Sequence, residues 1–176
     1  KKKFFSDKNF FLSSYKIKPN SNVLIFQPMP WFEHNITNKE EHFKRNYELA
    51  KLINNSIRRS NIRCLVSLHP KQNIKEYEWL NDQFRFSIIK EKLFDTICFA
   101  DIYIIGYEGD TMIWSSDLKI PCLITNFYKQ KSLKFNDKYL HYCNNKKKFS
   151  DLINLYSKRK LNIFRDVNYY KNKQSL

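Results

Sequence analysis

Short, uninterrupted apolar runs alternate with amphipathic segments along this chain, and this alternation limits the folds open to it. The runs at residues 23–26, 62–68, 101–105 and 121–125 are apolar at most positions rather than at every second one. Strands that are apolar on both faces are typical of a parallel sheet covered by helices on both sides. The sequence therefore predicts an α/β, Rossmann-like, doubly wound domain with a parallel sheet of about five to six strands.

The segments between the runs have the length and patterning of helices. They are predicted at residues 39–59, 73–81, 90–99, 110–118 and 149–159. Asn38 is suited to cap the first of them. Two further strands are predicted at residues 84–89 and 139–142.

These elements fall within residues 22–160, which we expect to form one domain. Residues 1–21 are predicted to be a linker or interdomain segment, and residues 161–176 a polar C-terminal tail. The sequence does not begin with Met, and we expect it to be a piece of a longer protein.

The chain carries 32 Lys and Arg against 17 Asp and Glu, a formal net charge of +15. Because the lysines are spread along the whole chain, this favours a solvated surface in a sequence of biased composition over a dedicated polyanion patch. The positive field would still favour an anionic ligand or an anionic membrane face. No nucleic-acid-binding motif accompanies the charge.

The cysteines and histidines do not form a recognisable metal-binding pattern. Cys64, Cys98, Cys122 and Cys143 have spacings that match no zinc site, and three of them lie within apolar runs. We therefore expect reduced core cysteines, no metal site and a cytoplasmic protein.

Ligands of parallel sheets bind at the carboxyl ends of the strands, so the residues directly after each strand are the candidate site. The only two glycines of the chain, Gly106 and Gly109, both lie in one such turn, followed by Asp110 and Thr111 as candidate helix caps. Glycine lets a backbone approach a ligand closely, and a helix start offers free N–H groups to an anion. This turn is predicted to contact a phosphate or ribose, with Glu108 as a candidate acceptor of ribose hydroxyls; the alternative is a plain strand-to-helix turn.

Other candidate residues follow the first two strands. His69 can donate to a phosphate, Lys71 adds charge, and Pro70 stops the strand; the alternative is a structural histidine. Gln27 ends the first strand. Residues 31–34 are expected to form a lid, an acceptor-side loop or a surface for another domain.

The order of these features resembles the C-terminal half of GT-B-fold proteins. The nearest likenesses are bacterial surface-polysaccharide glycosyltransferases of the capsule, teichoic-acid-polymerase and sialyltransferase-like groups, and UDP-N-acetylglucosamine 2-epimerases. The resemblance covers roughly residues 22–128 and is carried by the segments 23–28, 65–71, 99–109 and 118–123.

By this resemblance the chain binds a UDP- or CMP-sugar as donor substrate and needs no tightly bound cofactor. The implied donor-binding residues are Gln27, His69, Lys71, Tyr107, Glu108, Gly109, Asp110 and Thr111. The acceptor site and general base would lie in a missing N-terminal domain, to which residues 161–176 would cross, and the protein would work at the inner face of the membrane.

Several departures from the family patterns keep other functions open. Glu108-Gly109 stands where the sialyltransferase and teichoic groups have a Ser/Thr pair, and Ile113 and Trp114 stand where the epimerases have a Glu pair. A glycosyltransferase donor domain is favoured, and an epimerase relative is the alternative. A non-catalytic nucleotide-binding or polyanion-binding module is a third possibility. A nucleic-acid-binding domain is a fourth, although the sequence contains no nucleic-acid-binding motif.

Overall fold

A computed structural model of the chain describes residues 8–19, 21–128 and 135–158. Its helices are α1 Lys8–Ser14, α2 Lys39–Ile57, α3 Trp79–Phe84, α4 Leu93–Thr96, α5 Thr111–Asp117 and α6 Lys146–Lys158. Its strands are β1 Asn22–Gln27, β2 Ile62–Val66, β3 Ser87–Ile88, β4 Ile102–Ile105, β5 Cys122–Thr125 and β6 Leu140–Cys143. Single 3-10 turns at Ile74–Tyr77 and Ile97–Phe99 complete the described elements, and the predicted tail, residues 161–176, lies outside them.

The strands form one parallel six-stranded sheet in the order β3-β2-β1-β4-β5-β6. Side chains of each strand alternate between the two faces, and both faces are buried. Val23 and Ile25 join the core that contains α1 and α5, whereas Leu24 and Phe26 join the core that contains α2 and α6. The predicted Rossmann-like parallel sheet, with helices on both faces, is confirmed.

Helix α2 begins where the sequence predicted it. The Asn38 side chain accepts a hydrogen bond from the backbone N–H of Glu41 at 2.8 Å, which satisfies a free donor of the first turn. The buried face of the helix then recurs every three to four residues, at His42, Asn46, Leu49, Ala50, Ile53 and Ile57.

Two predicted elements are shorter in the structure. The strand predicted over 84–89 is reduced to Ser87–Ile88, because Arg85 adopts a left-handed backbone (φ 56°) and closes α3 by donating to the carbonyl of Asn81. The helix predicted over 90–99 is reduced to Leu93–Thr96 and a 3-10 turn, and its N-cap residue Lys92 makes no side-chain capping bond.

Residues before β1 also contribute to the core. Within the segment predicted as a linker, α1 buries Phe11 and Leu12 completely, and the Phe11 ring stacks on Phe99 with centroids 4.8 Å apart. The buried Asp101 carboxylate accepts from Lys8 Nζ at 2.6 Å and from the Val23 N–H at 2.7 Å. Helix α1 is therefore tied to the start of the sheet.

We expect Asp101→Asn to lower the free energy of unfolding by about 1 kcal/mol, because an amide still accepts from Val23 but loses the ion pair with a partly exposed lysine. Urea unfolding followed by circular dichroism measures the change. The matched control is Asp95→Asn, at an exposed position six residues earlier. Equal unfolding midpoints for the two variants would contradict the assigned role of Asp101.

Candidate functional site

The candidate site lies at the carboxyl edge of the sheet, where the strand order reverses. β1 has β2 on one side and β4 on the other, and the helices that follow β1 and β4 pack on opposite faces. Ligands of open α/β sheets bind in the crevice at such a point. Gln27 and Ile105 are register partners at the ends of these two strands and mark the crevice.

Gln27 and Thr111 are joined by a residue that the sequence analysis did not single out, Tyr103. Gln27 Oε1 accepts from the Tyr103 hydroxyl and from Thr111 Oγ1, the latter at 3.0 Å, and the two hydroxyl oxygens lie 2.7 Å apart. Gln27 and Tyr103 are both buried. This triangle fastens the turn after β4 to the end of β1, so these two predicted site residues have a positioning role within the protein.

The two glycines of the turn differ in what surrounds them, and neither has a positive φ. A Cβ on Gly106 would lie 2.6 Å from Met29 Cγ and 3.3 Å from the Trp31 ring, so glycine is required there for packing. A Cβ on Gly109 would meet only Ile105 Cδ1, at an ordinary 3.5 Å. Gly109 is thus the less crowded of the two glycines, and a side chain there would be tolerated.

The predicted side-chain cap of α5 is not formed. Asp110 occupies the N-cap position with helical backbone angles (φ −57°, ψ −27°), and its side chain makes no capping hydrogen bond. A side chain caps well when the residue has extended angles, as Asn38 does. The Thr111 hydroxyl serves the triangle with Gln27 instead.

Glu108 faces the last strand of the sheet. Burial is the main cause that raises the pKa of Tyr142, on β6, to about 12, and a hydrogen bond with the Glu108 carboxylate adds to it. The Tyr142 hydroxyl also accepts from the Phe135 N–H at 2.9 Å. Tyr107 lies half-buried in the same turn.

The His69 side chain is held as a hydrogen-bond donor. Its Nδ1 accepts from the Lys71 N–H at 3.2 Å, so in the neutral ring the proton is on Nε2. Burial, and then the charges of His34 and Lys71, lower the pKa of His69, which keeps the ring neutral at pH 7. Lys71 itself is exposed. A neutral ring with Nε2–H suits contact with a ligand oxygen.

The His69 loop is attached to the loop after β1 through residues that the sequence analysis missed. The His69 N–H donates to Gln72 Oε1 at 2.8 Å, Gln72 donates to the Tyr77 hydroxyl, and this hydroxyl lies 2.7 Å from His42 Nε2. His42 Nδ1 accepts from the Phe32 N–H at 3.2 Å. Two polar residues, His42 and Asn46, on the otherwise apolar buried face of α2 are the signal that points to this network.

Residues 31–34 pack in part on their own domain. Trp31 is only 1% exposed, and the Arg45 guanidinium lies over its ring and over the Tyr128 ring, with centroid distances of 5.6 and 4.3 Å. Phe32 remains 41% exposed, and the His34 ring meets the His69 ring edge-on at 5.1 Å. This loop therefore borders the His69 side of the crevice.

The predicted site residues share one edge of the sheet but form two groups. His69 and Lys71 follow β2, and residues 107–111 follow β4, with β1 between them. Two strand spacings separate the groups by roughly 10 Å. This distance suits a ligand that spans the crevice.

Within residues 8–19, 21–128 and 135–158, no group of three or more His, Cys, Asp or Glu could hold a metal ion. All four cysteines are free thiols, and Cys64, Cys122 and Cys143 are buried. No helix in these described ranges is long and apolar enough to cross a membrane.

The comparisons with known proteins agree with the fold. The sequence matches no protein-family model and no curated protein. Among solved structures, the chain is similar to the catalytic domain of cholesterol-alpha-glucosyltransferase from Helicobacter pylori, with a TM-score of 0.50 and 16% sequence identity over 89% of this chain and 99% of that one. At this identity the likeness concerns the fold alone: the chain has a Rossmann-like α/β fold that is also found in a GT-B glycosyltransferase.

Proposed function

We propose that this chain is the donor-binding domain of a glycosyltransferase of surface-polysaccharide or glycan biosynthesis and that it binds a UDP- or CMP-sugar at the carboxyl edge of its sheet. The observation that carries the proposal is a hydrogen-bond donor after β2, at the carboxyl edge of the sheet that borders the crevice. It is the His69 ring, whose neutral form carries its proton on Nε2 because Nδ1 accepts from the Lys71 backbone N–H. The fold, which is also found in a glucosyltransferase catalytic domain, is compatible with this function.

The chemistry of sugar transfer matches these groups. The bond between the anomeric carbon and the donor's phosphate oxygen breaks, and negative charge develops on that oxygen. Hydrogen-bond donors of the protein that already point towards this oxygen stabilise the charge without having to reorganise. His69 Nε2–H and the side chain of Lys71 would supply this stabilisation, and the less crowded backbone at Gly109 would admit the nucleotide.

The remaining parts of the proposal follow from the resemblance. The acceptor and the general base would come from an N-terminal domain of the same protein, so this chain alone would bind nucleotide weakly and transfer no sugar. The net charge of +15 would assist both donor binding and peripheral contact with an anionic membrane.

Ligand-observed NMR with UDP, CMP, ADP and GDP tests this proposal. We expect selective binding of UDP or CMP, weakened about tenfold or more in His69→Ala because a hydrogen bond to a charged oxygen is lost. Lys71→Ala should weaken binding more than Lys75→Ala, which makes the same change in charge four residues away.

Equal effects of the two lysine changes would indicate a general positive field rather than a site. Binding of no nucleotide, or binding indifferent to His69→Ala, would refute the proposal and favour a non-catalytic or polyanion-binding role. On the full-length protein, free epimerised sugar instead of a glycoside would favour the epimerase alternative.

A further inference from the structure

A buried polar chain connects the two loops that border the His69 side of the crevice. It runs from the Phe32 N–H through His42, Tyr77 and Gln72 to the His69 N–H. His42, Tyr77 and Gln72 are each at most 8% exposed. The position of the His69 backbone therefore depends on hydrogen bonds that are shielded from water.

The protonation state of His42 follows from its partners. Because Nδ1 accepts from the Phe32 N–H, the neutral ring carries its proton on Nε2 and donates it to the Tyr77 oxygen. The Tyr77 oxygen also accepts from Gln72. Only the neutral ring can accept at Nδ1 and donate at Nε2 at once.

A carboxylate lies close to the ring nitrogen that would take up a second proton, so it could pair with the protonated ring. Glu33 Oε2 lies 3.7 Å from His42 Nδ1 and is a buried atom without a hydrogen bond of its own among the described residues, while the Glu33 carboxylate also interacts with the Tyr77 hydroxyl. The other charged groups that act on His42 are Glu76 and Lys39, which pair with each other at 2.7 Å. The remaining neighbours are the neutral groups of Tyr77 and Asn46 and two aromatic rings, Trp31 and Phe32.

We propose that His42 is a positioning residue for His69 and that its protonation exchanges the hydrogen bond with Phe32 for an ion pair with Glu33, which loosens the His69 loop. An imidazolium cannot accept from Phe32. Because the ring is rigid, a movement of Nδ1 towards Glu33 also shifts Nε2 and changes its contact with Tyr77, the anchor of Gln72.

The direction of the pH dependence follows from the surroundings. Burial, the largest effect, lowers the pKa of His42, and Glu33 and Glu76 oppose it. The hydrogen bonds from Phe32 to His69 are thus intact at neutral pH. The bond between Phe32 and His42 is lost as the pH falls below the ordinary histidine value of 6.5. The inference concerns the geometry of the His69 loop and rests on the proposed function only where it touches ligand binding.

The experiment is a pH titration of the ligand-free protein from pH 8 to pH 5 by NMR. The ring nitrogens of His42, the backbone amide of Phe32 and the side-chain amide of Gln72 are followed together. We expect all three to change with one midpoint, and we expect Glu33→Gln to move this midpoint to lower pH because the imidazolium loses its carboxylate.

His42→Gln separates this effect from the titration of His34 and His69, since it should abolish the changes at Phe32 and Gln72. A Gln72 amide that does not follow the His42 midpoint, or a midpoint unmoved in Glu33→Gln, would overturn the inference. Because the wild type and Glu33→Gln suffice for these outcomes, the test does not depend on the stability of His42→Gln.

A second experiment measures the affinity for UDP or CMP, whichever of the two binds, as a function of pH. We expect the ratio of the wild-type nucleotide affinity to that of His42→Gln to fall by roughly tenfold as the pH is lowered through the His42 midpoint. This is the effect of losing one hydrogen bond to a charged group. A constant ratio would overturn the link to binding. Nucleotide binding that fails altogether would refute the proposed function, while the ligand-free titration decides the His42 inference separately.

Discussion

Phe11→Ala is expected to destabilise the domain by about 3–5 kcal/mol, the usual cost of deleting a fully buried aromatic ring. The ring has no exposed surface and stacks on Phe99, which ends the turn before β4. Its loss would leave a cavity under α1 that the surrounding strands cannot fill. A domain of this size is stable by about 5–15 kcal/mol in total, so the effect would be large.

Phe10→Ala is the matched control, because it makes the same chemical change one residue earlier on the same helix, where the ring is 44% exposed. We expect its unfolding free energy to stay within about 0.5 kcal/mol of the wild type. Urea unfolding followed by circular dichroism compares the two. Similar unfolding midpoints would contradict the packing of α1 into the core.

Gly106→Ala is expected to cost about 1–3 kcal/mol, because the added methyl group overpacks a filled space. Its Cβ would lie 2.6 Å from Met29 Cγ, an atom close to the backbone, and 3.3 Å from the ring of the buried Trp31, so neither neighbour can move away easily. Thermal unfolding measures the loss of stability.

Gly109→Ala provides the contrast in the same turn. Its methyl group would make one ordinary contact at 3.5 Å, and its φ is not positive, so we expect unchanged or slightly raised stability. If Gly109→Ala proved as destabilising as Gly106→Ala, the different roles assigned to the two glycines would be wrong.

The sheet could be predicted from the sequence because its strands are buried on both faces. Residues 23–26 are apolar throughout, and the structure divides them between two cores by simple alternation. Helix α1 could not be predicted in the same way. It is short, and only Phe11 and Leu12 of its seven residues are buried, so its helical pattern is weak.

The position of the candidate site could be predicted, but the hydrogen bonds within it could not. Strand ends locate Gln27, His69 and the turn at Gly109. The bonds of Tyr103 depend on the register between β1 and β4, which sets it near Gln27. Tyr142 meets Glu108 only because β6 lies beside β5. Such contacts join residues far apart in the chain, and local patterns carry no record of them.

Two arginines at the end of α2 form a second positively charged surface, which a single experiment can separate from the proposed site. A cleft of about 400 Å³ is lined by Asn55, Arg58 and Arg59 at the end of α2. This end of the helix leads into the start of β2, so it lies at the amino edge of the sheet, opposite the candidate site.

The most direct test is to map the binding of UDP and CMP on the amide resonances of the wild-type chain. The account predicts that the largest shifts occur at His69, Lys71 and Gly109 for one of the two nucleotides. Shifts centred on Arg58 and Arg59, or small shifts spread over the surface lysines, would contradict the claim that the carboxyl edge of the sheet binds the donor.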